Sequence, residues 1–245
     1  MVIVFTLGQK YKNVGILGGM GPEATAELYL RIIQIFQTKY GAKYDNDFPE
    51  IVIINLPIPD VVENPEQEEK VKELLMDGVQ RLVSLGVDFI AIPCNTVNYY
   101  LPEMRMAVSV PIISIVEETV REVKKLGLDK VGLVGTEMTI NTNIYGNLLG
   151  DIVLIIPDST QQKKTTRIIL RILSGDKKKE DRQVLMEITK TLKLEHARKV
   201  ILGCTELPLL IRKSKDTINT IDILARTVVE KCVKPSGLKT GGFEK

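Results

Sequence analysis

The chain has 245 residues, of which 44% are hydrophobic and 26% charged, a composition typical of a globular protein. Its formal net charge of +2 gives no reason to expect a nucleic-acid or membrane partner. A single histidine, His196, excludes a histidine-rich zinc site. There are three cysteines, Cys94, Cys204 and Cys232, and none of them forms a CxxC pair. This pattern predicts free thiols in a reducing compartment. The apolar stretch 2–7 is too short for a signal peptide, and no run approaches the about 20 apolar residues of a membrane span, so we expect a cytoplasmic protein.

The first half of the chain predicts short strands that alternate with helices. Strands are predicted over residues 14–17, 51–56 and 89–92, and helices over residues 22–40, from about 66 to 85, and after Asn95. The helix near residues 66–85 places its apolar side chains on one face, so it is expected to cover a sheet.

The second half repeats this alternation. Strands are predicted over residues 112–116, 131–134, 152–156 and 200–202, with helices between them and after the last. An amphipathic helix over residues 222–233 is expected to pack back on the first lobe. Strands that are apolar throughout and separated by helices indicate parallel sheets covered on both faces, so the predicted fold class is α/β.

The two halves also resemble each other in sequence. The segment VGILGGM from Val14 has a counterpart in VGLVGT from Val131, and FIAIPCNT from Phe89 has a counterpart in KVILGCTE from Lys199. We therefore expect a first lobe over residues 12–112, completed by the helix 219–233, a second lobe over residues 113–218, and a flexible tail over residues 234–245. Two such lobes predict a pseudo-two-fold axis with a cleft between them.

Cys94 and Cys204 occupy equivalent places in this repeat, each at the end of a strand and ahead of a helix. Ligands of open α/β sheets bind at the carboxyl ends of strands, and a helix start favours an anion, so both thiols are expected to have a lowered pKa. Two such thiols reaching one cleft from opposite sides suit the removal of a proton from one face of a carbon and its return to the other. The alternative is that both are small buried apolar residues, which is the interpretation that we adopt for Cys232.

Proton abstraction next to a carboxylate requires hydrogen-bond donors for the developing charge. The candidates are backbone and side-chain groups near the two strand ends, namely Gly19, Met20, Gly21, Asn95, Thr96, Thr136 and Thr205. Glu206 could accept a hydrogen bond from a substrate ammonium group or from Cys204, or could simply be a carboxylate in a first helical turn.

Three other motifs are weaker. Gly19 begins a GxGxxA sequence, but the second strand lacks the ribose-binding acid of a dinucleotide site, and no GxxxxGK[ST] phosphate loop occurs. His196 is interpreted as a surface or helix-capping residue. The lysine run 177–179 is interpreted as a solvated helix face, because acidic residues flank it.

At these positions the chain resembles the aspartate/glutamate racemase family, whose members are cofactor-independent and use two catalytic cysteines. The resemblance is carried by GILGGMGPEAT from Gly15, PCNT from Pro93 and LGCTELP from Leu202. It implies two Rossmann-like lobes, a site between them, Cys94 and Cys204 as the acid/base pair, no pyridoxal phosphate or metal, and a homodimer. Aspartate or glutamate is the default substrate.

The chain departs from the family pattern where substrate carboxylates are bound. Val61 stands where the resemblance implies an arginine after Pro-x-Pro-Asp, Leu173 stands where it implies a lysine, and Asn98 replaces a histidine. An unpaired substrate carboxylate would cost about 1–3 kcal/mol or more per missing partner. Three cations on the second lobe are candidate substitutes: Lys164, Arg167 and Arg171.

Two alternatives remain beside the amino-acid racemase. One is a related cysteine-dependent racemase, isomerase or decarboxylase acting on a hydantoin or another small acid. The other is a small-molecule binding protein that has kept the cleft and lost most turnover.

Overall fold

The computed structural model describes residues 10–59, 67–211 and 214–233. Two four-stranded parallel sheets are present in this part of the chain. The first sheet has the order β2-β1-β3-β4 and the second the order β6-β5-β7-β8. The strands are β1 (Val14–Gly18), β2 (Ile51–Asn55), β3 (Phe89–Ala91), β4 (Ile112–Ile113), β5 (Lys130–Gly135), β6 (Val153–Ile155), β7 (Lys199–Gly203) and β8 (Thr217–Asn219). The two sheets have the same topology, which confirms the predicted α/β class and the two similar lobes.

Helices cover both sheets. They are α1 (Pro22–Tyr40), α2 (Glu68–Ser84), α3 (Leu101–Ala107), α4 (Ile115–Lys125), α5 (Glu137–Asn141), α6 (Gly146–Leu149), α7 (Ser159–Leu173), α8 (Lys179–Leu194) and α9 (Thr220–Cys232). The bounds predicted for α1 agree with the structure, because Pro22 suits the first turn and Gly41 ends the helix in the left-handed conformation. Among the described residues, no helix has the length and apolar character needed to cross a membrane.

The prediction of a strand over residues 112–116 is wrong in its second half. The strand ends at Ile113, and the Ser114 hydroxyl accepts a hydrogen bond from the backbone N–H of Glu117, at 3.0 Å, which starts α4. Ile115 and Val116 are buried as predicted, but on a helix. An apolar run this short does not distinguish a buried strand from a buried helical turn. Strand β8, which contains only one buried apolar residue, Ile218, was not predicted.

Three apolar clusters build the interior. One lies between the first sheet and the helices α2 and α3, and another between the second sheet and the helices α7 and α8. The third combines α1, α4 and α9 with strand residues of both sheets, such as Ile16 and Leu133. The two lobes therefore share an inner core, and the residues that follow their strands are held in fixed relation to one another.

The C-terminal helix α9 packs against α1 and α4. Lys12 donates a backbone hydrogen bond to the carbonyl of Cys232, and Tyr11 pairs with Val233. Cys232 is fully buried in the inner core.

His196 is exposed just after α8 with a φ of +76°. Val61 and the tail 234–245 lie outside the described residues.

Candidate active site

A cavity of about 190 Å³ lies between the lobes, at the carboxyl ends of β1, β3, β5 and β7. It brings together all of the candidate site residues: Gly19, Met20, Gly21, Cys94, Asn95, Thr96, Thr136, Cys204, Thr205 and Glu206. Pro22, Ile58, Pro59, Val97, Ile169 and Leu173 complete its wall. Since each sheet contributes its central strands, the cavity has the position expected of a ligand site in an α/β protein.

Cys94 follows β3 and is buried in the wall of this cavity. Burial raises the pKa of its thiol to about 12, although the backbone N–H groups of Val97 and Thr96 act in the opposite direction. The Asn98 side chain donates to the carbonyl of Cys94 at 2.6 Å and accepts from Ser114 at 2.7 Å, which fixes the loop. The prediction that this position lowers the thiol pKa is wrong, because desolvation outweighs the backbone donors.

Cys204 follows β7 and donates a hydrogen bond from Sγ to Oε2 of Glu206, at 2.9 Å. Burial raises the pKa of Cys204 well above its usual value, and the nearby Glu206 charge raises it further. The lowered pKa predicted for this thiol is therefore also wrong. A negative charge on Cys94 also raises the pKa of Cys204. The pair therefore favours one thiolate at a time over two.

Glu206 connects the two lobes inside the cavity. Its Oε1 accepts the backbone N–H of Gly21, at 3.1 Å, and its Oε2 accepts from Cys204 and from the Thr205 hydroxyl. Burial raises the pKa of this carboxyl group despite these three donors. The charge of this carboxylate and its hydrogen bond from Sγ both favour the thiol form of Cys204.

Three threonine hydroxyls form a second bridge between the lobes. Thr96 of the first lobe lies 3.0 Å from Thr136 and 3.2 Å from Thr139, between hydroxyl oxygens, and the Thr136 hydroxyl donates to Thr139 at 2.9 Å. Thr96 and Thr136 reach the cavity, so their rotatable hydroxyls can turn toward an anionic group. Thr139 was not predicted as a site residue, although its spacing from Thr136 is that of a helix cap and its N3 residue.

Asn95 is held by a third buried network. Its Oδ1 accepts a hydrogen bond from the hydroxyl of Tyr145, at 2.6 Å, and its Nδ2 donates to Thr220 at 3.4 Å. Thr220 in turn donates to the carbonyl of Leu202. Asn95 is thereby fixed against both lobes, and the second Nδ2 hydrogen remains as a donor. No local sequence signal indicated Tyr145 or Thr220, since both are distant from Asn95 in the chain.

Two backbone donors proposed for the site are already used within the protein. The N–H of Gly19 donates to the Thr25 hydroxyl, at 3.0 Å, and the N–H of Gly21 donates to Glu206. Gly21 itself allows a close approach between the lobes. A Cβ at this position would lie 2.9 Å from Leu173 Cδ2 and 3.0 Å from Glu206 Oε1.

The candidate substitute cations do not reach the cavity. Lys164 and Arg167 are exposed on α7, and Arg171 forms an ion pair with Asp181 of α8. Nor does any lysine, arginine or histidine line the cavity within the described ranges. The same part of the chain contains no cluster of histidine, cysteine and acidic side chains able to hold a metal ion.

We expect Glu206→Gln to lower the pKa of the Cys204 thiol, because the substitution removes the negative charge that opposes its ionisation. The midpoint of iodoacetamide alkylation at Cys204, followed against pH by peptide mass spectrometry, should move to lower pH. Since the thiolate is the reactive form, alkylation below this midpoint should become faster.

Glu118→Gln is the matched control for this experiment. Glu118 is 9% exposed and Glu206 is 4% exposed, but the carboxylate of Glu118 pairs with Arg121 on α4 and lies outside the cavity. An unchanged alkylation midpoint in Glu206→Gln, or an equal shift in Glu118→Gln, would contradict the assigned electrostatic coupling.

The chain is similar in sequence and in fold to known proteins. A sequence model of the Asp/Glu/hydantoin racemase family matches residues 17–230. The broad specificity amino-acid racemase RacX of Bacillus subtilis (strain 168) is 33% identical, over 85% of this chain and 92% of its own length. The crystal structure of an aspartate racemase homologue from Pyrococcus horikoshii OT3 has 31% identity and a TM-score of 0.74, covering 89% of this chain and 98% of its own. The structure of Picrophilus torridus aspartate racemase has 26% identity and a TM-score of 0.77, covering 89% and 93%.

Proposed function

Because the chain belongs to the Asp/Glu/hydantoin racemase family, we propose that it is an amino-acid racemase that needs no cofactor and uses Cys94 and Cys204 as its two bases. The observation that carries the proposal is that both buried thiols, from equivalent strand ends of two like lobes, line one cavity of small-molecule size. The named racemases among its relatives support the same activity.

In the proposed reaction, the thiolate of one cysteine removes the α-proton of the amino acid and becomes a thiol. The electron pair of the broken C–H bond moves into the α-carboxylate as an enediolate. The thiol of the other cysteine then donates its proton to the opposite face of the α-carbon and becomes a thiolate. One proton has left and one has returned, so the product is the mirror image and the two sulfurs have exchanged states.

The cavity supplies the two further requirements of this reaction. Thr96, Thr136 and the free Nδ2 hydrogen of Asn95 are uncharged donors for the charge that develops on the α-carboxylate. Glu206 accepts the 2.9 Å hydrogen bond of Cys204 and its charge raises the pKa of that thiol, so Cys204 enters the reaction as the thiol that donates a proton. Of the three roles considered for Glu206 from the sequence, this contact favours the interaction with Cys204.

Incubation with a panel of L-amino acids in deuterated water tests the proposal. We expect at least one of them to gain deuterium at its α-carbon and to form the D-enantiomer, measured by NMR and by chiral chromatography. Absence of α-proton exchange for every amino acid would contradict the racemase. Saturable binding without exchange would instead indicate a binding protein, and exchange with hydantoins alone would indicate the related enzyme class.

A further inference from the structure

We propose that the cavity selects amino acids with an uncharged aliphatic side chain, such as leucine or methionine, over the acidic amino acids that are the default expectation for this site. The inference rests on the proposed racemase function and specifies its substrate class. It concerns the apolar part of the cavity wall.

This part of the wall is apolar and is contributed by both lobes. Met20 and Ile58 come from the loops after β1 and β2, and Ile169 and Leu173 lie one turn apart on α7. Leu173, the last residue of α7, is 45% exposed, so a bound aliphatic side chain would remove apolar surface of Leu173 from water. Burial of such surface stabilises a complex in proportion to the area that is covered.

The charges of the cavity disfavour an acidic side chain. Glu206 is the ionisable carboxyl group in the described part of the wall, and no cation there offsets it. The cations nearest in sequence to Leu173 are engaged elsewhere, because Arg171 pairs with Asp181 and Lys177 pairs with Glu23 across the lobes. A substrate carboxylate would therefore be desolvated without a partner.

A cationic side chain is not favoured either. Both oxygens of Glu206 already accept hydrogen bonds, from Gly21 on one side and from Cys204 and Thr205 on the other. A substrate ammonium or guanidinium group would have to break these contacts, and its own carbon chain would still require the apolar wall. An uncharged aliphatic side chain leaves every one of these hydrogen bonds intact.

Leucine and aspartate form a matched pair of substrates, because their side chains share one branched heavy-atom skeleton and differ in charge. We expect kcat/KM for racemisation of L-leucine to exceed that of L-aspartate by about 100-fold, the cost of an unpaired buried carboxylate. L-Asparagine, which has the same skeleton without the charge, should fall between them. Equal or faster turnover of L-aspartate would overturn the inferred selectivity and leave the racemase proposal standing. Absence of turnover for all three and for L-methionine, L-glutamate and L-lysine would overturn both.

The variant Leu173→Lys supplies the cation that the wall lacks. We expect it to lower kcat/KM for L-leucine by about 10-fold and to raise that for L-aspartate by about 10-fold or more, so that the preference shrinks or reverses. Leu126→Lys is the matched control, since Leu126 is 46% exposed and lies at the end of α4, outside the cavity. The same change of preference in Leu126→Lys, or an unchanged preference in a folded Leu173→Lys, would overturn the assignment of Leu173 to substrate selection.

Discussion

Replacement of either cavity cysteine should abolish racemisation. We expect Cys94→Ala and Cys204→Ala each to lower the rate of conversion between enantiomers by about 1,000-fold or more, because each reaction direction requires one thiolate and one thiol. Each variant keeps one base, so the proton of one enantiomer should still exchange with solvent while inversion is lost. Chiral chromatography measures the inversion, and NMR in deuterated water measures the exchange.

The third cysteine provides the control for both variants. Cys232 is fully buried in the inner core on α9 and outside the cavity, so Cys232→Ala should keep its racemisation rate. Its expected cost is a loss of about 1 kcal/mol in the free energy of unfolding, from a small cavity in the core. Inversion that survives in Cys94→Ala or Cys204→Ala would reject the two-base mechanism.

The largest stability effect is expected at Gly19, which begins the loop between β1 and α1. Its φ is +96°, and an added Cβ would lie 2.5 Å from both the backbone nitrogen and the backbone oxygen of Leu56. Backbone strain and backbone overlap act together in Gly19→Ala, so we expect its free energy of unfolding to fall by about 3 kcal/mol or more. Urea unfolding followed by circular dichroism measures this loss.

The variant Gly41→Ala distinguishes backbone strain from steric overlap as the cause of the stability loss. Gly41 also has a positive φ, +67°, at the end of α1, but no atom lies within 4 Å of an added Cβ. Its expected loss is about 1 kcal/mol, from the left-handed backbone alone. Equal losses in the free energy of unfolding of the two variants would contradict this prediction. They would show that overlap with Leu56 adds no destabilisation to Gly19→Ala.

The fold could be predicted where local sequence and burial agree. The predicted strands 14–17 and 131–134 are apolar throughout and are each followed by a glycine, and Pro22 and Gly41 delimit α1. Hydrophobic pattern and turn residues therefore indicated the same elements. Prediction failed where the pattern was short, as at Ser114, whose side chain starts a helix inside an apolar run. Strand β8 was missed because β7 supplies its pairing partner, and local sequence does not record pairing between distant segments.

The sequence by itself determined the chemistry available to this protein: two thiols at equivalent strand ends, and the small polar residues beside them. Those assignments follow from the local order of residues in the sequence, because the residues that follow a strand lie at the carboxyl edge of any parallel sheet. The tertiary structure decided the burial, the contacts and the electrostatic environment of these groups. Burial raises the pKa of both thiols, Glu206 contacts Cys204 and the opposite lobe at once, and Leu173 faces a cavity without a neighbouring cation. Desolvation and charge coupling depend on distances between residues far apart in the chain, and only folding sets those distances.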